Sequence, residues 1–367
     1  MRIAIVEPEA AKSNTAFQAQ TRMWEFIAQE YGCSFTVFAD RRLNYRNERL
    51  EVKALRRIGG RFWFPPYPAL LTQLMGYEVI VTGGPSLYPY AIWAAIAAKA
   101  SNSRLVLDTS VTLLTPAPKT GRGRLILRLA KAIFNLAHKV IVPTRLTAER
   151  LSKLGLVPEA SDKVVELGHP VDTELFHPRS APPTNSGTTI LSVGKLIYEK
   201  GHHIVIEALA DLLKNNAGLR LLIAGDGQYR RTLEELCQEC GVADKVSFLG
   251  LVPNEQLAEI YRKCDIFVHH PVAVDWWEEY FGVALVEAMS SGLPLIGSDC
   301  GSLRYVVPEG AGFMIAQNDR ETLGEKVKLL ASNAQLRDDM GAQGRAHVCR
   351  RYSLPQVAQR CYEAALS

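Results

Sequence analysis

The stretch T-T-I-L-S-V-G-K-L-I-Y-E-K-G-H-H, Thr188 to His203, decides the fold. It opens with an apolar, β-rich run that ends at Gly194 and continues as a helix from about Gly201. Strand, short turn and helix in this order is half of a parallel βαβ unit. The turn carries Lys195 and Lys200, at the carboxyl end of the strand, where ligands of parallel sheets bind.

The same alternation extends in both directions. Strands are predicted downstream at 219–224, 245–249, 265–269, 294–297 and 312–315, with helices over 201–215, 229–240, 254–263, 282–291 and 320–332. Upstream, strands are predicted at 2–7, 34–39, 78–82, 104–108, 138–142 and 163–167, with helices over 15–30, 88–100, 122–137 and 145–154. Between the two series lies R-S-A-P-P-T-N-S-G-T (179–188), which is rich in Pro, Ser and Gly and has no period. The expected organisation is therefore a first Rossmann-like domain at 1–178, a linker at 179–188 and a second Rossmann-like domain at 189–350. The remaining 351–367 contains one more amphipathic helix. At 367 residues, two cores are expected. The fold class is α/β, with two parallel-sheet domains facing across a cleft, the natural place for a ligand.

Composition is that of a globular protein, 47% hydrophobic and 22% charged. The net charge of +4 hides an asymmetry. Residues 1–180 hold 24 basic against 15 acidic side chains, and the remainder 18 against 23. A basic first half implies an anionic partner. Seven scattered cysteines, without disulfide spacing, suit a reducing cytoplasm. No signal peptide is visible, and Gly83, Gly84, Pro85 and Pro89 interrupt the charge-free run 79–98.

The second chemistry-bearing segment is E-Y-F-G-V-A-L-V-E, 279–287. Gly282 starts a helix whose free amides can meet a phosphate. Glu287 lies inside that helix beside apolar residues and needs hydrogen-bond partners, which ribose hydroxyls would supply. Glu279 precedes the turn, within reach of sugar hydroxyls. Cations for a diphosphate and carboxylates for hydroxyls are the two needs of a sugar nucleotide. The plainer alternative is solvated lysines and an exposed Glu287. A-G-D-G (224–227) is a further strand-to-helix turn, where Gly225 permits close backbone approach. His269 and His270 with Asp275 and Glu278 read either as metal ligands or as simple polar lining of a cleft, and histidines at a strand end favour the lining. Cys237 and Cys240, without a second pair, do not make a zinc site.

Several segments together resemble the retaining glycosyltransferases of family 4, which have the GT-B fold. They are V-G-K-L-x-x-E-K-G, L-L-I-A-G-D-G, V-S-F-L-G-L-V-P and E-x-F-G-x-x-x-x-E-A-M-x-x-G-L-P, across 188–330. The first half matches more loosely, at H-K-V-I-V-P-T-R-L-T-A-E-R-L (138–151) and V-D-T-E-L-F-H-P (171–178). The resemblance implies that Lys195 and Lys200 hold the donor diphosphate and that Glu279, with them, serves catalysis at the donor sugar. It implies Glu287 at the ribose and backbone contacts from Gly194, Gly225, Phe281, Gly282 and Val283. Leu251 and Val252 would lie near the base. The family's last helix crosses back to the first domain, as 351–367 would here. No metal and no cofactor are expected beyond the nucleotide-diphosphate sugar itself.

The chain also departs from the family pattern. Lys195 stands where arginine is common, and Tyr305 where glutamate is common. E-P-E-A-A-K-S-N (7–14) lacks the paired glycines often found after the first strand. L-D-T-S (107–110) occupies the place of a histidine that faces the donor sugar, which makes Asp108 an acceptor-side candidate. G-H-P-V-D (168–172) replaces N-G-V-D and adds His169.

The expected function is retaining, metal-independent transfer of a hexosyl group from a UDP- or GDP-linked donor to an acceptor hydroxyl, in glycan, polysaccharide or glycolipid biosynthesis. A sugar-nucleotide epimerase or hydrolase, or a non-catalytic nucleotide-sugar-binding protein, is the alternative. Lys200→Ala is expected to lower turnover with little loss of folding. Residues 41–71 are basic and then aromatic, and 119–131 present Lys119, Arg122, Arg124, Arg128 and Lys131. Such faces suit an anionic membrane surface; the alternatives are a solvated face or a patch for a phosphorylated acceptor. The expected location is cytoplasmic, peripheral at the inner face of the membrane. Nucleic acid is not an expected partner.

Overall fold

The computed structural model describes residues 1–6, 15–40, 50–55, 68–83, 89–109, 121–159, 161–180 and 187–366. Residues 7–14, most of the basic stretch 41–71, Lys119 and positions 181–186 lie outside the described residues. The chain forms two compact units, Met1–Pro170 with Leu354–Ser367, and Val171–Ser353.

The first unit is built on a parallel sheet of β1 (Arg2–Val6), β2 (Ser34–Asp40), β3 (Glu51–Leu55), β4 (Val79–Gly83), β5 (Arg104–Asp108), β6 (Lys139–Val142) and β7 (Val164–Glu166). Its strand order is β3-β2-β1-β4-β5-β6-β7. Register is exact to the residue: Ile5 pairs with Val37 on one side and Val81 on the other. The helices are α1 (Thr15–Tyr31), α2 (Pro68–Leu74), α3 (Pro89–Ser101), α4 (Gly121–Leu136) and α5 (Arg145–Lys153). Successive residues of β1 enter opposite cores, as a strand's period of two requires. Ala4 and Val6 pack with Ala94, Phe134 and Leu151, whereas Ile3 and Ile5 pack with Trp24 and Ile27. Burial on both faces explains why these strands read as continuous apolar runs.

The second unit repeats the plan. Its strands are β8 (Thr188–Val193), β9 (Leu219–Ala224), β10 (Val246–Gly250), β11 (Ile266–His269), β12 (Leu295–Ser298) and β13 (Gly312–Ile315), all parallel. The order is β10-β9-β8-β11-β12-β13. Its helices are α6 (His202–Asn215), α7 (Arg230–Glu239), α8 (Asn254–Lys263), α9 (Val283–Ser290), α10 (Leu303–Val306), α11 (Arg320–Ser332) and α12 (Ala334–Arg351). Ile190 and Leu191 face different cores. In both sheets the order reverses between the first strand and the fourth, the switch point where such folds bind ligands.

The boundary between the two units differs from the sequence expectation. The first unit ends at Pro170, not at 178. Phe176 is buried in the second unit's core, and its carbonyl accepts from Ser290 Oγ at 2.6 Å and Arg345 Nη1 at 2.8 Å. These contacts tie 171–178 to the second unit. At the other end, α13 (Leu354–Cys361) and the π-helical turn Tyr362–Leu366 belong to the first unit. Val357, Cys361 and Leu366 join the core of Ile5 and Ile27, and Tyr362 stacks on Tyr31 with ring centroids 3.9 Å apart.

Candidate functional site

In the second unit the sheet's carboxyl end gathers most of the chemistry-bearing segments. Three turns after adjacent strands lock edge to edge. Gly194 N–H donates to the Ala224 carbonyl at 3.0 Å, and Gly225 N–H to the Gly250 carbonyl at 2.8 Å. A Cβ on Gly225 would stand 1.9 Å from the Gly194 carbonyl oxygen, so no larger residue fits this approach. Beyond Gly194 the chain makes a 3-10 turn over Tyr198–Lys200 and enters α6 through Gly201, whose φ is +69°. Val272 N–H donates to the Glu199 carbonyl at 2.9 Å. That bond fixes the lysine turn against the chain leaving β11.

The result is a direct Lys200–Glu279 ion pair, with Nζ on Oε2. His269, the last residue of β11, places Nε2 3.0 Å from the same oxygen. Lys200 also lies 5.0 Å from the Trp277 ring centroid. Burial alone would raise the Glu279 pKa, but Lys200 and the His269 hydrogen bond more than offset it and hold the carboxyl low, at about 2. Burial lowers the His269 pKa, so the imidazole is neutral and donates to an ionised carboxylate. His269, weighed above as a metal ligand, therefore turns its Nε2 to Glu279. Among the described residues no group of three or more His, Cys, Asp and Glu side chains is arranged to hold a metal ion.

Glu287 is held differently. It projects from α9, whose N-cap is Gly282 at φ +79°. The side chain is 6% exposed, and Tyr261 Oη of α8 is 3.1 Å from both Glu287 Oε2 and the Ala284 carbonyl. Burial, only partly countered by Tyr261, pushes the Glu287 carboxyl up to about 7. A partly protonated, buried carboxyl lacking a full set of donors is suited to receive hydroxyls.

The other sequence candidates fall at stated places. Lys195 and Leu251 are exposed, and Val252 and Val283 are half-buried, all just beyond strand ends or at the start of α9. The Phe281 ring is core, edge-on to Tyr352 at 5.3 Å, so only its backbone is available to a ligand. In the first unit, Asp108 ends β5 and accepts from Gln20 Nε2 of α1. Burial raises its pKa to about 6, against the Gln20 hydrogen bond. Asp108 and His169 line one small cavity together with Gln20, Met23 and Pro170. The structure thus brings Lys200 to Glu279, and Asp108 to His169.

Sequence reasoning missed Tyr261 and Trp277, and it placed His269 as polar cleft lining without its bond to Glu279. Tyr261 carried a signal: with Leu257 and Ala258 it forms the apolar stripe of α8, and a tyrosine there brings a hydroxyl into the core. Only the end of an apolar strand marked His269.

A family model described as "Glycosyl transferases group 1" matches residues 175–347. An uncharacterised glycosyltransferase of Methanocaldococcus jannaschii is 32% identical over 171 residues, 46% of this chain and 42% of that protein. The D-inositol 3-phosphate glycosyltransferase of Nocardia farcinica is 32% identical over 163 residues, 42% of this chain and 35% of that protein. The chain thus spans less than half the length of these two relatives. Among solved structures, HepE of Anabaena in complex with UDP superposes with a TM-score of 0.80 at 19% identity, covering 99% of each chain. Its complex with UDP-glucose gives 0.76 at 19%, covering 99% of this chain and 98% of that one. The fold is that of the GT-B glycosyltransferases.

Proposed function

Because residues 175–347 match the family model of the glycosyl transferases group 1, we propose that this chain moves a hexosyl group from a nucleoside-diphosphate sugar to an acceptor hydroxyl with retention of configuration. The observation that carries the reading is the Lys200–Glu279 pair beside the start of α9. A cation for the diphosphate and a carboxylate for the sugar stand within one contact of each other. The UDP and UDP-glucose bound by HepE make UDP-glucose the first donor to try.

In the proposed reaction the bond from the anomeric carbon to the diphosphate oxygen breaks as the acceptor oxygen bonds to the same face. The acceptor's proton passes to the departing phosphate. Lys195, Lys200 and the amides at the start of α9 stabilise the charge on that phosphate. Glu279 orients the sugar and Glu287 the ribose. Those cationic and amide groups supply the neutralisation that a metal gives elsewhere, which supports a metal-independent reaction. Gly194, Gly225, Phe281, Gly282 and Val283 offer backbone, and Leu251 with Val252 an apolar edge, to the nucleotide. Asp108 and His169 are proposed on the acceptor side.

The test is a thermal-shift panel of UDP-, GDP- and ADP-sugars, repeated with Glu287→Ala. A shift for one donor that the variant loses supports the reading; no shift with any donor counts against it. Consumption of a sugar nucleotide without acceptor, giving an epimer, would replace transferase by epimerase.

One observation favours a membrane acceptor, as in glycolipid or polysaccharide assembly at the cytoplasmic face. On α4, Leu125, Leu129 and Leu136 are 57%, 40% and 44% exposed, in a row beside exposed Arg124, Arg128 and Lys131. Apolar side chains flanked by cations suit an anionic bilayer surface. No helix among the described residues is long and apolar enough to cross a membrane.

A further inference from the structure

We infer that His269 is a positioning residue: it keeps the Glu279 carboxylate fixed when Lys200 leaves that carboxylate for the donor's diphosphate. The inference rests on the proposed roles of Lys200 and Glu279 at the donor.

Two donors converge on one oxygen of Glu279. Lys200 Nζ and His269 Nε2 both reach Oε2, and neither reaches Oε1, which is left to accept a sugar hydroxyl. The donors differ in stiffness. The Lys200 side chain is 19% exposed on a flexible four-carbon stem. His269 is 2% exposed and ends a strand paired on both sides, opposite Gly297 on β12. Its ring lies nearly parallel to that of Phe267, 19° from it with centroids 6.3 Å apart. Lys200 can swing; His269 is held.

A diphosphate brings about two negative charges and attracts Lys200 more strongly than one carboxylate does. Once Lys200 moves, Glu279, 3% exposed, would be a buried charge without its cation, a costly state. The His269 N–H remains. Among the described residues its Nδ1 is buried without a hydrogen-bond partner, which assigns the proton to Nε2, facing Glu279. A neutral donor suits this task. It satisfies the carboxylate without competing with the diphosphate for Lys200, and leaves Oε1 aimed and ionised.

The experiment compares UDP with UDP-glucose, and GDP with GDP-mannose, by calorimetry on the full chain, with turnover measured alongside. The variants are His269→Leu, which removes the N–H, and His269→Gln, whose Nε2 can reach the same oxygen. Losing a hydrogen bond to a charged group costs roughly tenfold or more. His269→Leu is expected to bind the free nucleotide within about twofold of wild type, since the nucleotide lacks the sugar that Glu279 meets. The sugar nucleotide should bind roughly tenfold more weakly, with lower turnover, and His269→Gln should recover most of both. Equal losses for nucleotide and sugar nucleotide, no loss for either, or a Gln variant no better than Leu would overturn the positioning role while the donor reading stands. Wild-type protein that binds neither pair overturns the donor reading and this inference with it.

Discussion

Glu279 and Glu287 have different partners, and the partners set how each holds a proton. Glu287, raised to about 7, binds its proton more tightly folded than unfolded. Its contribution to stability is present below the ordinary carboxyl pKa near 4.5 and is lost as pH rises through 7. The nucleotide's ribose hydroxyls should donate to the ionised form, so UDP affinity should rise from pH 6 to 8, and Glu287→Gln should flatten that rise in calorimetry. Glu279, held at about 2, has the opposite sign. Its contribution is present above 4.5 and is lost as pH falls toward 2. The pair also corrects the expectation for Lys200→Ala. Lys200 neutralises a buried carboxylate, so its removal should lower turnover about 100-fold and also cost about 1–3 kcal/mol of stability. Turnover assays and denaturant melts of the same variant separate the two effects. The two glutamates and two lysines could be singled out as candidates for a donor site because their residue types sit in strand-to-helix turns. The contact of His269 with Glu279 was not legible, because the two lie ten residues apart and only the closed turn brings them together.

Among the elements, the lysine turn depends on one glycine. A Cβ at Gly201 would stand 1.8 Å from the His270 carbonyl oxygen, at φ +69°. Gly201→Ala should therefore destabilise the second unit by about 3 kcal/mol or more, read as a lower urea midpoint, and should displace Lys200. On α4, Arg124→Glu with Arg128→Glu should abolish binding to anionic vesicles at low salt without changing the melting temperature by more than a degree or two; wild-type protein that fails to bind such vesicles removes the membrane reading. Elements buried on both sides were the easiest to read: β8 and β11 are apolar runs closed by a turn. β3 was missed. Glu51-Val52-Lys53 pairs with β2 at the edge of the sheet, and an edge strand can carry charge, so it read as part of the basic stretch. α12 was missed too. Its apolar residues are sparse, and it packs partly through glycines: Gly341 lies against the Gly292 carbonyl and Gly344 against Met289, contacts that leave no hydrophobic period.

For the whole molecule, the two-unit plan was legible from the break in alternation after residue 178, but the exact partition was not. Which core Phe176 enters depends on Ser290 and Arg345, far along the chain. Removing everything after Ser353 should strip Val357, Ala358, Cys361, Ala365 and Leu366 from the first unit's core. At about 1.5–3 kcal/mol for each large apolar side chain, the first unit should melt well below the second, giving two calorimetric transitions, the lower one absent from the full chain. The discontinuity also bears on synthesis. The chain leaves the first unit at Pro170 and returns at Leu354, so a ribosome adds the intervening 183 residues over roughly 10–40 s. For that interval one face of the first sheet has α1 but not α13 to cover it. The nascent protein thus carries an unfinished apolar face through the whole birth of its second unit, a surface that emerging-chain chaperones should be expected to bind.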